Sequence, residues 1–92
     1  MDEQAREALR RYIGARIRHA RQVDGVRSAE DLATQLTHQS GRAWTRSMVA
    51  NLENGPKEIV LADLCEIAAV QGRTLGWYWQ EAPPGVSRYI PE

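Results

Sequence analysis

The chain has one cysteine, Cys65, among its 92 residues. A single thiol excludes a disulfide framework within the chain and fits a reducing cytoplasm. Lysine is as rare: Lys57 stands against eleven arginines. The chemistry does not require that bias, which is of the kind a GC-rich genome produces. No apolar run approaches the roughly 20 residues a helix needs to cross a bilayer, and no segment has the layout of a secretory signal. No membrane partner and a cytoplasmic location are therefore expected. Catalytic groupings are missing too: there is no Ser/His/Asp set, glycine-rich phosphate loop or pair of pocket carboxylates. His19 and His38 are not at ligand spacing with each other or with Cys65. Neither an enzyme, a cofactor nor a metal site is expected.

Net charge is also absent, since twelve basic residues meet twelve acidic ones. Their distribution is uneven. Nine arginines lie between Arg6 and Arg46, against Glu7, Asp24, Glu30 and Asp31. From Glu53 to Glu66, four acids face only Lys57. A basic half can meet phosphate while an acidic half faces away.

What is present is helical periodicity. Leu9, Ile13, Ile17 and Ala20 predict a first helix over about 4–24, stopped by Gly25. Arg6, Arg10, Arg11 and Arg18 lie off its apolar stripe, whereas Arg21 extends it. Ser28 and Asp31 form a capping-box-like pair at the start of a second helix, with Leu32, Ala33 and Leu36 inward. A loop is expected over 38–43. Thr45 caps the third helix, Trp44 and Val49 make a hydrophobic staple, and Gly55, in the left-handed conformation, ends it before Pro56. A fourth helix is expected over 61–71, with Leu61, Leu64, Cys65 and Ala68 inward. A short fifth, capped by Thr74, is expected over 75–80, with Trp77 or Trp79 completing the core. Ala82-Pro83-Pro84-Gly85 is read as non-helical, so that 82–92 forms a tail.

The third helix carries the functional signal. Arg46, Ser47, Asn51 and Asn54 fall on its outer face with only Ala50 apolar among them. Arginine pairs bidentately with guanine and asparagine with adenine. Glu53, four residues after Val49, turns inward, as Arg21 does from the first helix. A buried ion pair between them resolves both charges.

The stretch Thr45-Arg46-Ser47-Met48-Val49-Ala50-Asn51-Leu52-Glu53-Asn54-Gly55 resembles the recognition helix of the Cro/repressor-type (XRE-like) helix-turn-helix family. Ile17 to Arg21, Asp31 to Ala33, Leu61 to Gly72 and Leu75 to Trp79 match its other helices, so the resemblance covers about 12–79. The loop over 41–44 resembles longer versions associated with actinobacteria and their phages. The resemblance implies an all-α, five-helix, lambda-repressor-like helix-turn-helix domain over 1–81, with a short C-terminal tail over 82–92. It implies that Arg46, Ser47 and Asn51 read bases, and that Asn54, Lys57 and the helix start at Ser28 hold phosphate. Arg21 and Glu53 would be the family's structural pair. This chain departs from the family in having Ala29 where many members carry glutamine, and Pro56-Lys57-Glu58 where the family carries a basic run. Arg42 and first-helix arginines are expected to supply phosphate contacts in compensation.

The implied function is sequence-specific binding of double-stranded DNA, as a homodimeric repressor of the phage-immunity or Cro-like kind acting on two half-sites. Trp77, Trp79 and Tyr89 are candidate dimer contacts, because aromatics are enriched at interfaces. A different class shares the fold: an antitoxin or interaction module that neutralises a partner protein. Its distinguishing feature would be a tail whose Val86, Tyr89 and Ile90 are open to that partner.

Overall fold

The Asp2 carboxylate accepts a hydrogen bond from the Ala5 backbone N–H at 2.7 Å, which caps a long first helix, α1, Glu3–Val23. The computed structural model describes residues 1–55 and 58–89. Among these residues the chain is all-α, as expected. It comprises α2 (Ala29–Ser40), α3 (Arg46–Asn54), α4 (Leu61–Gln71), a single 3-10 turn (Leu75–Tyr78) and a short α5 (Pro84–Ser87). No described helix is long and apolar enough to cross a membrane.

One core joins these elements. Ile17, Leu36, Val49 and Ile67, one from each of the four longer helices, are wholly buried. Each such side chain contributes about 1.5–3 kcal/mol over its exposed state. The helix α2 packs on α3 and α4, whereas α1 touches α3, α4, the 3-10 turn and α5. Ser28 accepts from the Asp31 N–H at 3.1 Å and starts α2.

Several local expectations are corrected. The second helix continues to Ser40 and does not yield to a loop at His38. Its left-handed cap is Gly41, with φ +74°, so the helix ends only where glycine permits. On α4 the buried residues are Leu64, Ile67, Ala68 and Gln71, while Leu61 and Cys65 are exposed. This helix is apolar on two sides, and its packing against α2, α1 and the 3-10 turn selects the stripe through Ile67. Gly55 is extended (φ −90°, ψ 171°) and not left-handed. Glycine is needed there because any Cβ would collide with the Asn51 carbonyl.

The C-terminal segment differs most. Leu75–Tyr78 is a 3-10 turn, whose three-residue period puts Leu75 and Tyr78 on one side. Tyr78 is the aromatic that enters the core; Trp77 and Trp79 are only half-buried. The Thr74 side chain makes no capping bond. Pro83 and Pro84 do not prevent a helix but start one, since proline's missing N–H is not needed in the first turn. The helix α5 lies on α1 with Val86 wholly buried. Arg16 donates to the Trp77 carbonyl at 2.8 and 3.2 Å, and the Tyr12 hydroxyl donates to the Gln80 carbonyl. The tail, as far as Tyr89, is thus docked on its own domain. Ile90 lies outside the described residues.

The Tyr78 hydroxyl donates to Gln71 Oε1 at 2.7 Å, and Gln71 Nε2 donates to the Ile17 carbonyl at 3.1 Å. Burial pushes the Tyr78 phenol up to about 12. Below its ordinary value both folded and unfolded chains keep this proton, so stability is fully present. Above about 10 the unfolded chain ionises first, and the contribution is lost as pH rises through the folded value. Denaturant midpoints should therefore fall from about pH 10 to 12, and more steeply in the wild type than in Tyr78→Phe. Parallel curves would mean that the phenol titrates in the folded chain as it does in water.

Candidate nucleic-acid interface

Local chemistry fixes where α3 begins. Thr45 Oγ1 accepts from the Met48 N–H at 3.2 Å, and Trp44 and Val49 are both buried at the helix entrance. The Thr37 hydroxyl accepts from the Trp44 N–H at 2.8 Å and donates to the Trp44 carbonyl at 3.1 Å. The connection from α2 to α3 is thereby held at its last turn. Val49, Leu52 and Glu53 are buried beneath the helix. On its other side Arg46, Ser47, Asn51 and Asn54 are exposed, with Ala50 half-buried between them. The side chains of Arg46, Ser47 and Asn51 make no hydrogen bond or ion pair with any described residue. Asn54 Nδ2 reaches only the Ala50 carbonyl, at 3.5 Å. The face is thus a row of donors and acceptors not consumed by the fold, on a helix that cannot readily shift.

Rigidity comes from α1. Arg21 Nε and Nη2 donate to the two Glu53 oxygens at 2.9 and 3.1 Å, and Nη1 donates to the Val26 carbonyl at 3.2 Å. The side chains are 10% and 2% exposed, so this is a buried bidentate pair. Hydrogen bonding to Glu53 raises the Arg21 pKa further. One guanidinium therefore ties α1, the connection to α2, and α3 together. The helix backbones also touch. A Cβ at Gly14 would collide with the Leu52 carbonyl oxygen and lie 2.7 Å from that of Glu53. Sequence reading missed Gly14. Its signal was a glycine inside a long helix, where it costs about 1 kcal/mol against alanine unless packing needs it.

The expected phosphate groups are placed unevenly. Ser28 is half-buried and caps α2, but Glu30 and Asp31 occupy the first turn and already complement its dipole. Arg42 is turned away from that role. It binds Asp63 at 2.6 Å and Glu66 at 2.7 Å and lies over the Trp44 ring at 4.7 Å. Hydrogen bonding to Glu66 raises the Arg42 pKa, and Arg42 lowers that of Glu66. Lys57 lies outside the described residues.

The aromatic candidates for self-association separate. Trp77 is held by its own domain, with Arg16 3.7 Å and Arg73 4.9 Å from the ring centre. Arg73 in turn pairs with Asp24 at 2.8 Å and lowers the Asp24 pKa. Trp79 and Tyr89 line an apolar groove with Leu9, Ile13, Ile59 and Leu61, where Leu61 is 63% and Tyr89 39% exposed. Among the described residues no group of His, Cys, Asp and Glu is placed to hold a metal ion. Comparison with protein-family models, with curated proteins and with solved structures finds no match for this chain.

Proposed function

We propose that the chain is a sequence-specific regulator that binds double-stranded DNA through α3, in the manner of the Cro/repressor-type helix-turn-helix proteins it resembles. The observation that carries this reading is the outer face of α3, where Arg46, Ser47 and Asn51 are exposed and unspent. They project from a helix locked by its Thr45 cap and the Arg21–Glu53 pair. A major-groove reader needs just that: a rigid helix with hydrogen-bonding side chains near its start. Repression by occupying a promoter and excluding polymerase is within reach of a domain this small.

One such helix reads too few base pairs to select a site among genomic competitors. The protein therefore acts as a homodimer on half-sites about one helical turn, roughly 34 Å, apart. The apolar groove at Trp79 and Tyr89 supplies a surface for the second copy. Of the residues that would mark the antitoxin alternative, Val86 is buried against α1 and withdrawn from a partner, whereas Tyr89 is exposed.

Selection of bound duplexes from a random-sequence pool should return a two-half-site consensus. Against that site Asn51→Ala should cost roughly 1–3 kcal/mol and relax the preference at one base pair in each half. Unchanged affinity and preference in Asn51→Ala would remove α3 as the reading element. A pool that returns no consensus would remove the function itself.

A further inference from the structure

A second polar surface adjoins the reading face. Between α1 and the C-terminal end of α3 runs a groove of about 240 Å³, lined by Arg10, Arg11 and Arg18 on one side and by Glu53, Asn54 and Gly55 on the other. We infer that this groove is a phosphodiester-binding site that seats a backbone phosphate of the bound duplex on Arg10 and Arg18. The inference rests on the DNA-binding reading above.

Charge argues for it first. Four guanidinium groups (Arg10, Arg11, Arg18 and Arg21) cluster here with the carboxylates Glu53 and Glu7, while Asp31 acts on Arg21 from α2. Both Glu53 oxygens are taken by Arg21, and Glu7 is taken by Arg11. The α3 C-terminus adds only about half a negative charge. On the far side of Arg10 lies Glu58, which is paired with Arg6 at 3.3 Å. Arg10 and Arg18 therefore remain uncompensated, with no side-chain partner among the described residues. An excess of positive charge in a concave site is the electrostatic requirement for an anion.

Preorganisation is the second argument. Arg10 Nε is out of contact with solvent and meets no acceptor. That guanidinium has already lost part of its hydration, so less remains to be removed when an oxyanion arrives. Gly55 adds no side chain to the rim, and Gly14 fixes α1 against the backbone of Leu52 and Glu53. The groove walls thus belong to two helices that cannot slide apart.

Position decides the ligand. Asn54 belongs both to the outer face of α3 and to the groove. A duplex laid on that face carries its sugar-phosphate strand past Asn54. A free phosphate shares the chemistry but not this continuity with a base-reading surface. The first helix, on this inference, is part of the DNA interface as well as a support for it.

The salt dependence of binding tests this. Neutralising one phosphate contributes about 0.9 to the slope of log affinity against log salt. With a mixed-sequence duplex of roughly two helical turns, Arg18→Gln and Arg10→Gln should each lower the slope by about 1. Both should keep the wild-type base preference, and Arg18→Lys should keep the slope. Arg11→Gln, which leaves the Glu7 carboxylate unpaired beside the groove and so cancels one of its positive charges, should lower it too and serves if Arg10→Gln loses its helical circular dichroism. Wild-type slopes in Arg18→Gln and Arg11→Gln would overturn the site while leaving α3 as the reader. A wild-type chain that binds no duplex would overturn both readings. A titration with inorganic phosphate that shifts the Arg10 Nε–H resonance as far as duplex does, with slopes unchanged in the variants, would make the groove a small-anion pocket and overturn the assignment to DNA.

Discussion

Glu53→Ala is expected to lower the folding free energy by about 3–5 kcal/mol, because it strands a buried guanidinium. Arg21 would keep only the Val26 carbonyl, at 3.2 Å, for five N–H donors that are almost wholly out of water. The size of the effect reflects the orphaned charge and not the worth of the intact pair. A buried ion pair returns little net stability once both desolvation costs are met. The double variant Arg21→Met/Glu53→Leu should therefore recover much of the loss. Thermal unfolding of the two variants separates these contributions. An unchanged melting temperature in Glu53→Ala would mean that the pair contributes nothing to the fold. A double variant as unstable as the single one would mean that packing, and not charge, was lost.

Gly14→Ala is expected to cost about 3 kcal/mol, the upper end of what overpacking does. Alanine's better helix propensity, about 1 kcal/mol, works in the opposite direction and is overcome. The reason is what the methyl group meets: two carbonyl oxygens of α3, which belong to a helix backbone and have no rotamer to escape into. For a domain of this size such a loss lowers the melting temperature by roughly 12–24 °C. Gly76→Ala is the control, since a Cβ there meets nothing within 4 Å. If the two variants melted alike, the approach of α1 to α3 would be looser than described. Because α3 would have to move to admit the methyl group, Gly14→Ala should also disturb the face that carries Asn51.

Much of this was legible in the chain wherever the physics is local. Thr45 and Ser28 announce helix starts because a capping hydroxyl reaches only three residues along. The Arg21–Glu53 pair was legible because helical phase turns both charges inward, and two opposite buried charges have one inexpensive resolution. Where several elements compete for one surface, the chain is ambiguous. The α4 helix carries apolar residues on two sides, and only its neighbours select Ile67 over Leu61 and Cys65. Trp77 and Trp79 looked like better core residues than Tyr78. The 3-10 turn and the Gln71 amide favour the phenol, whose hydroxyl needs a partner. Pro83-Pro84 reads as a breaker within a helix and as a starter at its first turn, and the residues alone do not say which applies. Gly14 and Gly55 answer to backbone approaches that have no signature in the pattern of side chains.

The contacts of α1 with the 3-10 turn and α5 have a consequence for how the chain is made. Tyr12 and Arg16 are joined to carbonyls 68 and 61 residues further along. The pieces α2, α3 and α4 close on one another over much shorter stretches of sequence, and short loops close soonest. On a ribosome, α1 is synthesised before all of them, yet the face that will receive Trp77, Gln80 and Val86 stays uncovered until those residues have emerged. The first made of these helices is thus the last to be enclosed, and that face is the one most in need of shelter during synthesis.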